Sequence, residues 1–200
     1  MLFVGNCEKY DVVVSVASLV KTITKGDVAI VTDSDHSYKY FDGEVSGVQI
    51  LKTVPTNFNG VIIYDCYQVI VPDSLEGMKV VLFTTLDRPT YEYSVSLSQR
   101  IKTDVLISLY EDCIIDEKSI DLNFGIIEQK FEIENQPGRR IDMLHEERIN
   151  YKKLDKAFRG VVDELVAMIL DKDVKEVKKY WEALDKSGYG GLLRKKGILG

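Results

Sequence analysis

Residues 10–33, YDVVVSVASLVKTITKGDVAIVTD, indicate the fold class of this 200-residue chain. Apolar residues recur at helical spacing over 10–24, which predicts a helix with one buried face, and Gly26 is a typical residue to end it. The next run, 27–33, is short and apolar, as a buried strand would be. Together with the apolar run at 1–4, these residues predict a strand–helix–strand unit, the building block of a parallel sheet.

Further apolar runs have the length and the flanking turn residues of strands. They lie at 48–54, 61–65, 79–84, 104–109 and 127–133. Helices are predicted over 87–100 and 154–170, and Pro137-Gly138 predicts a turn. The sequence therefore predicts an α/β protein whose mostly parallel sheet carries helices on both faces. Three runs are expected to be buried neighbours in that sheet: 28–31, 61–63 and 80–83.

Composition and charge exclude several classes of protein. Apolar residues make up 45% of the chain, enough for a core, and the formal net charge is −6. A negative surface does not suit the phosphate backbone, so no nucleic-acid partner is expected. No apolar run approaches the ~20 residues of a membrane span. Three widely spaced cysteines without a CxxC pair indicate reduced, buried thiols in a cytoplasmic protein; they are Cys7, Cys66 and Cys113.

The charge balance separates the end of the chain from the rest. Residues 172–200 hold eight basic and four acidic residues, so residues 1–171 carry a formal charge of −10. We therefore predict an α/β domain over 1–171 and a basic helical tail over 172–200. The tail ends in an apolar–basic–apolar pattern, which suits either a peripheral contact with an anionic membrane or a protein contact. The residues of that pattern are Leu192, Leu193, Arg194, Lys195, Lys196, Ile198 and Leu199.

Three aspartates are predicted at the carboxyl ends of strands, where open parallel sheets bind ligands. Asp33 and Asp35 follow one strand, and Asp65 ends another. Carboxylates in this position can hold a metal-bound water or orient an attacking one. They can equally cap the turns and helices that follow. Both interpretations remain open from the spacing alone.

The loop between the first strand and the first helix lacks the features of a phosphate-binding loop. It is GNCEKYDVV, residues 5–13, with one glycine and no Lys-Ser/Thr pair. Glu8 and Asp11 would repel a triphosphate, and side chains with Cβ atoms hinder close approach of the backbone. Lys9 is the one candidate phosphate partner in the loop, and we expect it to be solvated. No phosphate cradle is predicted.

Several stretches together resemble the MinD/ParA branch of the P-loop ATPases, over roughly residues 1–170. They are SVASLVKTITKGDVAIVTDSD (15–35), FNGVIIYDC (58–66), MKVVLFTTLDRPTYEYSVSL (78–97), DVLISLYEDC (104–113) and NYKKLDKAFRGVVDELVAMI (150–169). They are similar, in order, to the family's first helix and next strand, its Walker B-like strand, its threonine-rich loop and helix, a later strand, and its closing helix. The resemblance implies a three-layer α/β fold, with Asp65 in the position of the Walker B-like acidic residue.

The chain departs from this family at the residues that handle phosphate. On the family pattern, the Walker lysine and threonine fall near Val12 and Val13, and the second signature lysine falls near Cys7. None of these side chains supplies an ammonium group or a hydroxyl for Mg²⁺. The resemblance therefore implies a MinD/ParA-like member without ordinary ATP hydrolysis. The TadZ/CpaE-type pilus-localisation proteins are the functional analogy.

Two further clusters bear on partners. Tyr38, Tyr40 and Phe41 fall in one polar segment, where they suit either an interface or the edge of the core. Because the resemblance implies dimerisation through the strand-end loops, we predict self-association through that face. Arg139 and Arg140 follow the predicted turn, and we expect them to be solvated.

Three hypotheses for function follow. The first is a non-catalytic regulator or scaffold without a cofactor, which localises or assembles a protein partner. The alternative is a nucleotide-binding switch with an unconventional phosphate loop, in which Asp33, Asp35 and Asp65 would contact ATP and Mg²⁺. An unrelated small-molecule enzyme on a flavodoxin-like sheet is a third.

Overall fold

The computed structural model describes residues 1–68, 72–113 and 123–187, without the side chains of Asp35, His36 and 185–187. Within these residues one sheet holds β1 Leu2–Val4, β2 Val28–Thr32, β3 Glu44–Val45, β4 Val48–Leu51, β5 Val61–Cys66, β6 Val80–Thr85, β7 Val105–Tyr110 and β8 Gln129–Glu134. The strand order is β3-β4-β2-β5-β1-β6-β7-β8. All neighbouring strands are parallel except β3 and β4. The predicted α/β class and mostly parallel sheet are confirmed.

Helices connect the strands and continue beyond β8. They are α1 Tyr10–Thr24, α2 Asp35–Tyr38, α3 Arg88–Ser98, α4 Pro137–Glu146, α5 Lys156–Leu170, α6 Val174–Val177 and α7 Trp181–Ser187, with 3₁₀ turns at Tyr151–Lys153 and Lys178–Tyr180. Successive β1 side chains enter different cores, since alternate residues of a strand point to opposite faces. Phe3 joins the core that contains α1 and α5, whereas Leu2 and Val4 join the core that contains Leu97 of α3. No helix within the described ranges is long and apolar enough to cross a bilayer.

The three runs expected as buried neighbours are strands, with two differences. The run 28–31 and the run 80–83 are buried throughout, but in β5 Val61 and Ile62 are only partly buried. β2 lies beside β5, while β1 separates β5 from β6. The strand expected over 48–54 ends at Leu51, because Pro55 and the exposed residues before it begin a loop.

The expected turn at Pro137-Gly138 is wrong, since these residues begin α4. Proline suits the first turn of a helix because the amide hydrogen it lacks would have no partner there. The expectation of a solvated Arg139 is also wrong. Its side chain is 8% exposed, and its Nε lies 3.1 Å from Asp11 Oδ2. The contacts of Arg139 fasten α4 to α1.

The helices after residue 171 pack into the larger core. Val177, Trp181 and Leu184 are buried there with residues of α1 and α5. The indole Nε1 of Trp181 donates a 2.6 Å hydrogen bond to Oδ1 of Asp163 on α5. The apolar–basic–apolar pattern predicted to contact a membrane or protein lies outside the described residues.

Asp163→Asn is expected to stabilise the protein relative to wild type more at pH 7 than at pH 4. Burial raises the pKa of Asp163, and the hydrogen bond from Trp181 offsets only part of this rise. A carboxyl with a raised folded-state pKa loses its contribution to stability as pH rises from its unfolded pKa through its folded one. Asparagine keeps an acceptor for Trp181 without that charge. Thermal melts of both proteins at the two pH values measure the difference.

Asp163→Ala is the control for this comparison. It removes the acceptor altogether, so we expect it to cost about 1.5–3 kcal/mol at pH 7. If the gap between Asp163→Asn and wild type were the same at both pH values, or larger at pH 4, the proposed penalty on the carboxylate would be contradicted.

Candidate functional site

The carboxyl ends of β1, β2 and β5 meet at one edge of the sheet. Thr32 of β2 pairs with Asp65 of β5, and Val4 of β1 pairs with Cys66 on the other side. Asp33, which follows β2, and Asp65 therefore both lie on the β5 side of the loop that leaves β1. The side chain of Asp35, the third predicted aspartate, lies outside the described structure.

The loop leaves β1 through Gly5, whose backbone lies against β6. Gly5 has φ +152°, and a Cβ there would lie 2.6 Å from the carbonyl oxygen of Phe83. The Oγ1 of Thr90 in α3 donates a 3.2 Å bond to the Asn6 carbonyl. Glycine is required at position 5 because no other residue avoids this contact.

Lys9 is not solvated as expected but is fully buried at the centre of this edge. Its Nζ lies 2.9 Å from Asp65 Oδ1 and donates a 2.9 Å hydrogen bond to the Gly5 carbonyl. It also lies 4.5 Å from the centroid of the Tyr67 ring. Lys9 occupies the N-cap position of α1, so the helix and the loop together fix its backbone. The ammonium group is neutralised inside the protein by Asp65.

The second carboxylate oxygen of Asp65 is hydrogen-bonded to Tyr38. Its hydroxyl donates a 2.7 Å bond to Asp65 Oδ2. Burial first, and then the Asp65 charge, raise the pKa of Tyr38 well above its usual value, so the phenol stays protonated and can donate. The ring contacts those of Tyr10 and Phe41, which also contact each other. Both Asp65 oxygens thus face donors of the chain itself.

The aromatic cluster does not form the exposed patch that an interface would need. Tyr38 and Phe41 are 4% and 5% exposed, and only Tyr40 of the three is open to solvent. Tyr10 contacts both buried rings from α1. Of the two interpretations of the cluster, the core-edge one holds for Tyr38 and Phe41.

Asp33 caps the turn that follows β5. Its Oδ1 accepts from the Tyr67 amide at 2.7 Å, and its Oδ2 accepts from the Gln68 amide at 3.1 Å. This holds the Tyr67 ring over Lys9. Burial, and next the Glu8 charge, raise the pKa of Tyr67. Asp33 therefore shapes one wall of the site through the backbone. The turn it caps follows β5, whereas the helix that follows Asp33 itself is capped by Ser34.

Glu8 connects the loop to α2. The Ser37 hydroxyl donates a 3.0 Å bond to Glu8 Oε2, and Ser34 Oγ caps α2 by accepting from the Ser37 amide. Glu8, Asp33 and Asp65 place three carboxylates here, against the cation of Lys9 and that of Arg140, whose charge acts on Cys7 and Tyr10. The resulting field opposes the approach of an anion.

The cysteine thiols supply no nucleophile to this edge. Cys7 and Cys66 are buried, as predicted, whereas Cys113 is exposed, contrary to expectation. Burial raises the pKa of Cys7 to about 12, so its thiol is protonated at neutral pH. Among the described residues no group of three or more His, Cys, Asp or Glu side chains could hold a metal ion.

Sequence reasoning found Asp33 and Asp65 but missed Lys9 and Tyr38 as their neighbours. The available signal was a lysine directly before α1, in a loop that begins with glycine. No protein-family model matches this sequence, and no curated protein matches it significantly. The geometry of this edge therefore carries the functional argument.

Proposed function

We propose that this chain has a MinD/ParA-like fold and acts as a non-catalytic regulator or scaffold that localises or assembles a protein partner. The observation that carries the proposal is the buried Lys9–Asp65 pair. A phosphate-binding loop turns its lysine towards the ligand and leaves its acidic residue to position Mg²⁺ and water. Here the two side chains neutralise each other at 2.9 Å.

The fold supports the proposal in two ways. β5, which ends in the acidic residue at the Walker B-like position, lies directly beside β1. β1 lies between β5 and β6, so the sheet continues on both sides of β1. Open parallel sheets place their ligand sites at switch points, where the order of the strands reverses. The family's lysine and threonine fall near Val12 and Val13. Both valines are fully buried in α1, and neither has a group that could bind phosphate.

The proposed activity is binding rather than turnover. In this network Asp65 Oδ2 accepts from Tyr38, and Oδ1 lies 2.9 Å from the Lys9 ammonium group as an ion pair without hydrogen-bond geometry, so the charge of Asp65 is balanced by the chain itself. Breaking it to admit a phosphate would leave Asp65 buried beside the anion, which is costly. The proposed partners are a protein and a second copy of this chain.

One observation favours the alternative, a nucleotide-binding switch. Lys9 lies at the start of α1, so a rotation of its side chain away from Asp65 would bring its ammonium group towards the helix N-terminus, where anions bind. The same loop would then hold phosphate in an open state. Nucleotide binding by the full chain separates the two functions.

In titration calorimetry with Mg-ATP and Mg-ADP, we expect no saturable binding up to about 1 mM nucleotide, which means an affinity weaker than about −4 kcal/mol. We also expect no phosphate release above the buffer blank. The matched control is Lys9→Met/Asp65→Leu, which removes both charges together and should behave as wild type does. Micromolar binding or turnover by wild type that this variant loses would overturn the proposal and establish the switch.

A further inference from the structure

Residues 174–187 form a helical cover on the larger core. The cover adds no strand to the sheet, and the exposed residues 171–173 join it to α5. Val177, Trp181 and Leu184 are its buried side chains, and they pack with residues of α1 and α5. Its outward residues are exposed to solvent; they are Lys175, Glu176, Lys178, Lys179, Glu182 and Ala183. The cover is therefore held mainly by the burial of a few side chains on one face.

Trp181 lies over two polar groups of α5. Its Nε1 donates the 2.6 Å hydrogen bond to Asp163, which is 2% exposed. Its ring centroid lies 5.5 Å from the guanidinium carbon of Arg159. Among the residues that the structure describes, none accepts a hydrogen bond from the buried Nε of Arg159. The docked cover thus keeps water from a carboxylate and from an N–H group.

These two groups oppose the docking of the cover. A polar group that leaves water loses its hydration, which costs free energy unless hydrogen bonds replace it. The hydrogen bond from Trp181 replaces it only in part for Asp163, whose pKa stays raised by burial. Release of the cover would hydrate both groups again. The apolar burial of Val177, Trp181 and Leu184 acts in the opposite direction and favours docking.

The sheet has no comparable weakness. Its central strands β1 and β2 are buried along their whole length and are paired on both sides. Segments at the end of a described chain that bury few side chains open at a lower free energy than such strands do. We therefore expect the cover to open before the sheet unfolds.

We propose that the cover is a releasable unit: residues 174–187 leave α1 and α5 while the sheet stays folded, which exposes the apolar face that Val177, Trp181 and Leu184 bury. This conformational device goes beyond the function proposed above. Neither the release nor its test involves a protein partner or a nucleotide, so the two proposals can fail independently.

Trp181 is the only tryptophan of the chain, so its fluorescence reports the release directly. The test is urea denaturation of the full chain at pH 7, followed by tryptophan emission and by far-UV circular dichroism. We expect the emission to shift to longer wavelength at a midpoint about 1 M urea or more below the circular dichroism midpoint. The emission transition should also have the smaller slope, because release exposes less surface than unfolding does.

Two matched leucine variants should move the two midpoints in different ways. Leu184→Ala removes a cover residue that is 4% exposed. It should lower the emission midpoint alone, because the cover has already left when the sheet unfolds. Leu97→Ala makes the same change in the other core, at a residue 6% exposed. It should lower the circular dichroism midpoint alone, so the gap widens in the first variant and narrows in the second.

Asp163→Asn keeps an acceptor for Trp181 without the buried charge, so it should raise the emission midpoint towards that of circular dichroism. Circular dichroism in buffer establishes that each variant is folded; where Leu184→Ala is not, Asp163→Asn provides the comparison. Wild-type transitions that coincide in midpoint and slope would overturn the proposal. So would a folded Leu184→Ala that lowers both midpoints equally, or an Asp163→Asn that leaves the gap unchanged.

Discussion

Asp65→Leu is expected to lower the free energy of unfolding by about 3–5 kcal/mol. The substitution leaves the fully buried Lys9 ammonium group without its counter-charge. It also removes the acceptor of the Tyr38 hydroxyl, which adds about 1 kcal/mol or more, since an unsatisfied buried donor costs the free energy of its lost hydration. Urea denaturation at pH 7 measures the loss, and the midpoint should shift without a change in slope.

The matched control replaces the whole network with apolar groups of similar size. Lys9→Met/Asp65→Leu/Tyr38→Phe buries no charge and leaves no phenol unpaired, so we expect it to recover most of the stability that Asp65→Leu loses. Equal losses in the triple and single variants would mean that side-chain volume, not charge, holds this edge together. A loss below about 1 kcal/mol in Asp65→Leu would contradict the buried pair itself.

The fold could be predicted where the apolar pattern is local. The helix expected over 10–24 is α1 Tyr10–Thr24, because its apolar periodicity is continuous and the chain turns at Lys25, which adopts φ +55° before Gly26. α4 could not be predicted in this way. Its Pro-Gly start is typical of turns, and its buried residues depend on α1, more than a hundred positions earlier in the chain.

The candidate site was predictable only in its strand-end residues. Asp33 and Asp65 follow apolar runs, so parallel pairing brings them to one edge. Lys9 is polar and stands in a polar loop, and nothing near it in the sequence shows that its counter-charge lies 56 positions away. Tyr38 likewise stands in a polar segment of the sequence, and only the structure shows that Tyr10 packs on its ring. Whether a polar group is buried depends on residues that pack on it from elsewhere in the chain, and the local sequence pattern does not show which residues these are.

Arg139→Met is expected to lower the free energy of unfolding by about 3–5 kcal/mol, close to the effect at Asp65. The guanidinium lies 3.1 Å from Asp11, whose side chain is 4% exposed, and 3.3 Å from Asp155. It donates to the Glu134 carbonyl at 2.7 Å and lies 4.4 Å from the Phe158 ring centroid. Methionine fills the space above Phe158 but leaves the Asp11 carboxylate buried without a cation.

Two further variants show that the charge of Asp11 causes this loss. Asp11→Asn/Arg139→Met removes the stranded charge, so it should be more stable than Arg139→Met alone. Arg88→Ala removes an arginine whose side chain is 87% exposed and pairs with Glu92 on α3. It should cost far less than Arg139→Met, because exposed ion pairs contribute little. Chemical denaturation of the four proteins at pH 7 makes the comparison. If Arg139→Met and Arg88→Ala lost the same amount, Arg139 would behave as the solvated arginine that the sequence suggested, and the attachment of α4 to α1 would depend on Met143 and its apolar neighbours instead.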